Sequence, residues 1–251
     1  MPPFPEIVAA GVAIGVLYGL FGVGSAFATP LLALIGVPGL AAVVCPLPAL
    51  LPGSAAGAWT YSKADRIDWT MARRAVAGGV PASVLGSLCS RYVGGGPLVV
   101  VSGVVLIAVG VRILWPTRAD PEATARAAAR RNSAALVVGM AAAVGFLAGL
   151  LANGGGFLLV PLFIVLFGLQ MPEATGTSLV VAAALTIPTL VTHALVGDVV
   201  WSITVAFTLG LVPGTLAGAR FAAHLPADRL RKPFGVLLTA FAVWFLVGQL
   251  Y

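Results

Sequence analysis

The sequence predicts an all-α polytopic integral membrane protein. We expect two inverted-topology repeats of about five helical segments each, including short broken or re-entrant helices. Composition, charge clustering and an internal repeat predict this fold class. Of 251 residues, 60% are hydrophobic and only 9% are charged, whereas soluble chains carry roughly 25% charged residues. A soluble chain of this length could not cover its surface with so few polar groups, so the soluble classes are excluded.

Charged residues are clustered rather than spread along the chain. Residues 63–74, 112–131 and 220–232 hold 18 of the 22 charges, while residues 7–62 and 132–172 hold none. A crossing helix needs about 20 apolar residues, so each uncharged stretch contains more than one crossing. With Pro and Gly marking the boundaries, ten apolar segments result: 7–22, 26–36, 40–61, 71–91, 97–115, 134–152, 155–168, 173–195, 201–222 and 233–250.

The second and seventh segments, 26–36 and 155–168, are shorter than the others. At about 1.5 Å of rise per residue, neither spans the membrane core of about 30 Å as one straight helix. Each forms either a broken crossing or a re-entrant hairpin with the segment before it. Both alternatives stay open at this point.

The ten segments divide into two matching halves. At an offset of 132 residues, Trp69 pairs with Trp201 and Pro81 pairs with Pro213, and near the start of each half the offset is 130. Trp occurs only five times, so we interpret the match as an internal duplication rather than shared Gly and Pro richness.

Because each half holds an odd number of segments, the second copy should enter the membrane from the opposite side. Alternate loops then place 13 of the 14 Lys and Arg residues on one side, with only Arg91 on the other. The positive-inside rule makes the basic side cytoplasmic. We therefore expect a multi-pass protein of the cytoplasmic membrane with both termini outside. This explanation of the basic residues also excludes a nucleic-acid-binding role.

We expect three parts within one transmembrane domain: a first membrane repeat at 1–117, a cytoplasmic linker at 118–133 and a second repeat at 134–251. Asp120-Pro121 followed by Glu122 is typical of a helix start. The Ala- and Arg-rich linker is also typical of a solvated tether, which is the interpretation we favour.

Glycine runs at the first break of each half indicate a binding site. Gly24 and Ser25 follow the first segment, and Asn153, Gly154, Gly155 and Gly156 follow its counterpart. Non-helical backbone at membrane depth is tolerated only inside protein or along a cavity. Free N–H groups and a helix N-terminus there can bind an anion, and broken helices in matching positions indicate a transporter site. Gly15, Gly19, Gly145 and Gly149 are instead typical of close helix packing.

A second group of candidates lies in the third segment of each half. The hydroxyls of the stretch Thr175 to Leu179, foremost those of Thr177 and Ser178, could bind an oxyanion, or these hydroxyls could bond back to their own helix. Cys45 aligns with Thr177, as a further binding residue or as inert packing. His193 and its counterpart Tyr61 could relay a proton or contact substrate, or His193 could be interfacial.

These residues and the duplicated layout resemble the TauE/SafE sulfite exporter family of anion transporters. The resemblance rests on the glycine pattern at 15–24, the Asn153–Gly156 turn with Pro161 after it, and Gly176 to Leu179. It implies passage of sulfite, thiosulfate or organosulfonates such as sulfoacetate and taurine. Two stretches depart from the usual family pattern, which has a glycine run at 24–26 and a Thr-Ser pair at 45–46.

The sequence therefore predicts a transporter of small sulfur-containing anions, working by alternating access and exporting. Export is favoured because a monoanion leaving a negative interior gains about 2.3 kcal/mol per 100 mV. The alternatives are a passive anion channel, an intramembrane serine protease using Ser25 and His193, and a scaffold subunit without flux. We expect no enzyme activity, cofactor, metal or nucleic-acid partner. The expected partners are a small anion and the lipid bilayer, and a homo-oligomer is left open.

Overall fold

The structure is a computed structural model of the chain and describes residues 2–89, 121–150, 156–194 and 200–250. Every element in these ranges is an α-helix, which confirms the all-α class. In chain order the helices are α1 (Phe4–Phe21), α2 (Gly24–Leu34), α3 (Gly39–Val44), α4 (Pro46–Lys63), α5 (Trp69–Cys89), α6 (Pro121–Asn132), α7 (Ala134–Leu150), α8 (Gly156–Phe167), α9 (Met171–Ala194), α10 (Trp201–Ala223) and α11 (Ala227–Leu250).

The helices follow the predicted segments with two differences. Segment 40–61 is divided into α3 and α4, because Pro46 lacks the N–H that would continue the hydrogen-bond ladder of α3. The interpretation of the linker as a solvated tether is wrong, since α6 covers most of it. Ala and Arg are strong helix formers and Pro is favoured in a first helical turn, which together explain α6. Predicted segment 97–115 lies outside the described residues.

Helix lengths separate spanning candidates from short helices. Among the described residues, three helices are long and apolar enough to cross a membrane: Phe4–Phe21, Met171–Val191 and Trp201–Ala223. A fourth crossing results if α6 and α7, which meet at 81°, are taken as one bent span. The predicted short helices, α2 and α8, have 11 and 12 residues and are about 16–18 Å long, which confirms that they are short.

Two pairs of helices pack along glycine-lined faces. In the first pair, α1 lies against α10, where a Cβ added at Gly15 would meet the backbone of Leu211 and Gly214. In the second, α7 lies against α5, where a Cβ at Gly145 would meet the backbone of Gly79. Small residues let helix backbones approach this closely in membrane proteins. The packing role predicted for these glycines is confirmed.

The contacts of the two halves match at the repeat offsets. Gly19 faces Thr215 across the α1–α10 contact, and Gly149 faces Ser83 across the α7–α5 contact; these residues are counterparts at offsets of 130 and 132. A third contact repeats in the same way, since Gly53 faces Leu211 and Gly79 faces Leu185. In each case, the two residues in contact in one place are aligned at the repeat offsets with the two residues in contact in the other.

Counterpart helices also run in opposite directions. Where α1 and α4 pack against α10, later residues of one helix contact later residues of the other. The helices α1, α4 and α10 are therefore parallel. Contacts likewise make α5, α7 and α9 parallel, since Asp68 meets Thr177 and Gly79 meets Leu185. The two sets are antiparallel, because Gly176 meets Tyr61 and Leu179 meets Gly57. The starts of α5 and α10 therefore lie at opposite ends, and each begins with an exposed Trp.

Candidate functional site

The first break of the chain is a tight left-handed turn between α1 and α2. Gly22 has φ +70° and its N–H donates to Tyr18 O at 2.8 Å. A positive φ of this kind is favourable for glycine, which has no Cβ. A Cβ at Gly22 would also lie 2.7 Å from Val160 Cγ2 and 2.8 Å from Ser178 Oγ. The turn thus needs glycine for its conformation and for its contacts with α8 and α9.

The first break meets the start of the short helix of the second half. A Cβ at Gly156, the first residue of α8, would lie 2.8 Å from Gly22 O. The N-termini of α2 and α8 consequently lie close to this break. The first-turn N–H groups and partial positive charge of a helix N-terminus favour an anion. The predicted residues Asn153, Gly154 and Gly155 lie outside the described residues.

Tyr18 lies beside both helix starts and was not predicted from the sequence. A Cβ added at Gly24 would lie 2.5 Å from Tyr18 Cβ, and a Cβ added at Gly156 would lie 3.7 Å from Tyr18 Cε2. The side chain is buried, and its hydroxyl lies beside the hydroxyl of Ser54. A tyrosine one turn before the glycine turn, in a helix that is otherwise apolar after Glu6, is the signal that could have indicated it.

Tyr61 connects α4 to the end of α1. Its hydroxyl is buried and donates to Gly19 O at 2.8 Å, and its Cβ lies where a side chain at Gly176 would have to be. This contact gives Tyr61 a structural partner one turn before the break. Its predicted counterpart, His193, lies in α9, and its side chain is outside the described part of the structure.

The hydroxyl-bearing stretch of α9 reaches the break, but two of its hydroxyls bond elsewhere. Ser178 Oγ lies beside Gly22 and donates to Thr175 O at 2.8 Å, which is the back-bonding alternative. Thr177 Oγ1 accepts from the N–H of Asp68 at 3.0 Å, so it faces the loop before α5. Thr175, also buried, places Cγ2 3.5 Å from a Cβ at Gly22.

The structure does not bring Cys45 together with Tyr61 and Thr177. Cys45 directly precedes α4, whereas Gly176 packs against Tyr61 near the other end of that helix. The separation along α4 is about 24 Å at 1.5 Å per residue. The buried thiol contacts Val200 O at 3.7 Å, and Cys45 O accepts from Thr204 Oγ1 at 3.0 Å. Cys45 therefore contacts the start of α10, and Thr177 contacts the loop before α5, at opposite ends of the bundle.

Of the first-half candidates at the break, Gly24 is buried at the start of α2. Ser25 follows it in that helix, and its side chain is outside the described part of the structure. The nearest groups around Gly22, Gly24 and Gly156 carry no charge. These groups belong to Ile14, Tyr18, Val160, Thr175, Ser178, Ala182 and the break itself. The polar atoms among them are Ile14 O, Gly22 O and Ser178 Oγ, so no charged side chain of either sign lies nearest these three glycines.

A cluster of ion pairs lies at the end of the bundle near Thr177. Arg131 Nε bonds Asp68 Oδ2 and Arg131 Nη2 bonds Glu173 Oε1, both at 2.8 Å. Asp68 Oδ1 also accepts from the N–H groups of Thr70 and Met71, which caps α5. Partial burial lowers the pKa of Arg131, but the charges of Glu173 and Asp68 outweigh it and raise that pKa overall. We call Asp68, Arg131 and Glu173 the ionic clasp.

The ionic clasp joins the linker helix α6 to the first turns of α5 and α9. The sequence did not indicate this cluster, because its three residues are distant from one another in the sequence. Among the described residues, no group of His, Cys, Asp and Glu side chains is arranged to hold a metal ion.

Comparison with known proteins gives a consistent result. Residues 7–245 match the family model described as sulfite exporter TauE/SafE. A probable membrane transporter protein of Xylella fastidiosa (strain 9a5c) is 33% identical over 119 residues, which are 47% of this chain and 46% of that protein. The match thus spans about half the length of this relative. A probable membrane transporter protein of Bacillus subtilis (strain 168), YunE, is 25% identical over 75% of this chain and 71% of its own length. No solved structure matches the chain.

Proposed function

Since the chain belongs to the TauE/SafE sulfite exporter family, and is thereby a membrane transporter, we propose that it moves small sulfur-containing anions across the cytoplasmic membrane. Sulfite, thiosulfate and organosulfonates are the candidate substrates. One observation carries the assignment of the site: the glycine turn after α1 contacts the first residue of α8, which brings two helix N-termini together. Two such ends suit an oxyanion.

The proposed mechanism is alternating access between two inverted copies. Supporting it, counterpart helices run antiparallel and the contacts of one half repeat in the other. Transporters of this kind bind substrate where the repeats meet and rock one bundle against the other. The glycine-lined contacts of α1 with α10 and of α5 with α7 would move as rigid pairs.

We place the ionic clasp on the cytoplasmic side, where positive charge is enriched, and both termini outside. Export then follows from electrostatics, because an anion leaving a negative interior gains about 2.3 kcal/mol per 100 mV without a coupled ion. Proton flux coupled stoichiometrically to substrate would contradict this part of the proposal.

Flux in proteoliposomes of the purified chain tests the proposal. Sulfite, thiosulfate, sulfoacetate, taurine and chloride are compared with and without an imposed potential. We expect saturable, potential-sensitive flux of at least one sulfur oxyanion, lost when Asn153, Gly154 and Gly155 are replaced by alanine. Counterflow should be present, which a passive channel does not give. Absence of flux for every sulfur compound would contradict the proposal and favour a scaffold subunit.

A further inference from the structure

Thr175 differs from its neighbouring hydroxyls in having no internal partner. Its Oγ1 is buried and forms no hydrogen bond within the described residues. Elsewhere on α9, Ser178, Thr186 and Thr189 each donate to a backbone carbonyl of the same helix. Buried polar atoms in proteins are nearly always bonded. A buried hydroxyl without a partner therefore indicates a group that binds there.

The surroundings of Thr175 leave its proton available. The neighbouring polar group is the Tyr61 hydroxyl, whose single proton is donated to Gly19 O. Tyr61 therefore cannot donate to Thr175. Its oxygen does not accept from Thr175 either, because Thr175 Oγ1 has no hydrogen-bond partner of acceptable geometry among the described residues. A hydroxyl carries one donor and two acceptor sites. Thr175 can accordingly donate to a ligand without disturbing the contact that fixes α1.

Thr175 lies beside the break, where its Oγ1 branches from the same Cβ as the methyl carbon Cγ2. Its Cγ2 faces Gly22, which contacts the first residue of α8. The partial positive charge of the helix N-termini beside this turn favours a negatively charged oxygen over a neutral or cationic group. A carboxylate of the protein is absent among the nearest groups around Gly22 and Gly156. The Thr175 hydroxyl, as a hydrogen-bond donor, and the helix N-termini thus both favour a negatively charged ligand.

We propose that Thr175 Oγ1 donates a hydrogen bond to an oxygen of the transported sulfur oxyanion when it occupies the break. This assignment rests on the proposed function and names a residue of the same site. We prefer Thr175 to Thr177 and Ser178, because Thr177 Oγ1 accepts from Asp68 N–H and faces the loop before α5, and Ser178 donates its proton to Thr175 O. A trapped water on Thr175 is the competing explanation.

Thr175→Val and Thr175→Ser separate these explanations. Valine keeps the shape and removes the hydroxyl, whereas serine keeps the hydroxyl. Affinity for sulfite and thiosulfate is measured from ligand-induced thermal shifts in detergent and from the KM of proteoliposome flux. We expect valine to weaken binding about tenfold or more, since a hydrogen bond to a charged group is lost. Serine should stay within about threefold of the wild type, since it retains that bond.

Thermal stability without substrate provides the second readout. Thr175→Val removes an unsatisfied buried hydroxyl, so its Tm should equal or exceed that of the wild type. Thr189→Val is the matched control on α9, because its hydroxyl bonds Leu185 O at 2.9 Å and lies away from the break. That variant should keep the wild-type affinity. If Thr175→Val does not fold, Thr175→Ala is measured in its place.

Two failures can be told apart. Wild-type flux with an unchanged KM in Thr175→Val would overturn the assignment and leave the proposed function standing; the hydroxyl would then bind only water. A lower Tm in Thr175→Val together with unchanged affinity would overturn it as well, as a structural hydroxyl. Absence of wild-type flux and binding for every sulfur oxyanion would overturn the proposed function and, with it, the assignment.

Discussion

The glycine-lined contact between α5 and α7 makes a prediction with an internal control. Gly139 and Gly145 lie on α7, but a Cβ at Gly139 would have no neighbour within 4 Å. A Cβ at Gly145 would lie 2.8 Å from both Cα and C of Gly79, and closer still to its carbonyl oxygen. Ordinary carbon contacts are about 3.5–4.0 Å. Gly145→Ala therefore requires the backbones of two helices to separate by roughly 1 Å.

The magnitude follows from two opposing terms. Replacing a helical glycine by alanine stabilises by about 0.5–1 kcal/mol through helix propensity, and Gly139→Ala should show this gain alone. Overpacking costs about 1–3 kcal/mol or more where the neighbours cannot yield, and here they are backbone atoms. Gly145→Ala should thus lie about 1–3 kcal/mol below Gly139→Ala in unfolding free energy.

Thermal unfolding in detergent measures the difference. At about 2–4 °C per kcal/mol for a chain of this size, Gly139→Ala should unfold at a slightly higher temperature and Gly145→Ala several degrees lower. Gly15→Ala, the counterpart on α1, should match Gly145→Ala, since its Cβ meets the backbone of α10 in the same way. Equal Tm values for Gly139→Ala and Gly145→Ala would refute the packing argument, and a neutral Gly15→Ala would refute the equivalence of the contacts.

Three further predictions concern side chains. Asp68→Ala removes the partner of Arg131 and the cap of α5, so Tm should fall by an amount equivalent to about 1 kcal/mol or more; this deficit should shrink at high salt, and an equal Tm at low salt would contradict the clasp. Tyr61→Phe removes the bond to Gly19 O and should cost about 0.5–1.5 kcal/mol of stability while the pH profile of flux stays unchanged; an altered profile would instead indicate a proton relay. Cys45→Ala should leave the KM for substrate at the wild-type value because Cys45 lies at the far end of α4; a severalfold change in KM would return Cys45 to the site.

Much of the fold was predictable because its signals are local in the sequence. Charge-free stretches and Pro and Gly boundaries gave the helices. The packing role of Gly15 and Gly145 followed from their spacing of four residues to the next glycine. The division of segment 40–61 was missed although Pro46 is visible in the sequence, because no charge marks a boundary there. The helix α6 was missed because its composition suits a tether and a helix alike.

The site was less predictable, because it depends on partners that are distant in the sequence. The glycine turn at Gly22–Gly24 was visible as a pattern, but its contact with Gly156 was not. Neither was the burial of Tyr18 beside both glycines. Thr175, Thr177 and Ser178 look alike in the sequence, and only their hydrogen bonds distinguish them. Alignment of the halves placed Cys45 opposite Thr177, but α4 and α9 are antiparallel, so the two residues lie at opposite ends of the bundle.

Counterflow of radiolabelled sulfite or thiosulfate into proteoliposomes tests the central claim most directly. Vesicles loaded with an excess of the unlabelled anion are diluted into trace label, with protein-free vesicles in parallel. A carrier whose site faces each side in turn should accumulate label transiently above equilibrium, and the excess should saturate with concentration. Equilibration without any overshoot would contradict alternating access, and uptake equal to that of protein-free vesicles would contradict transport of these anions altogether.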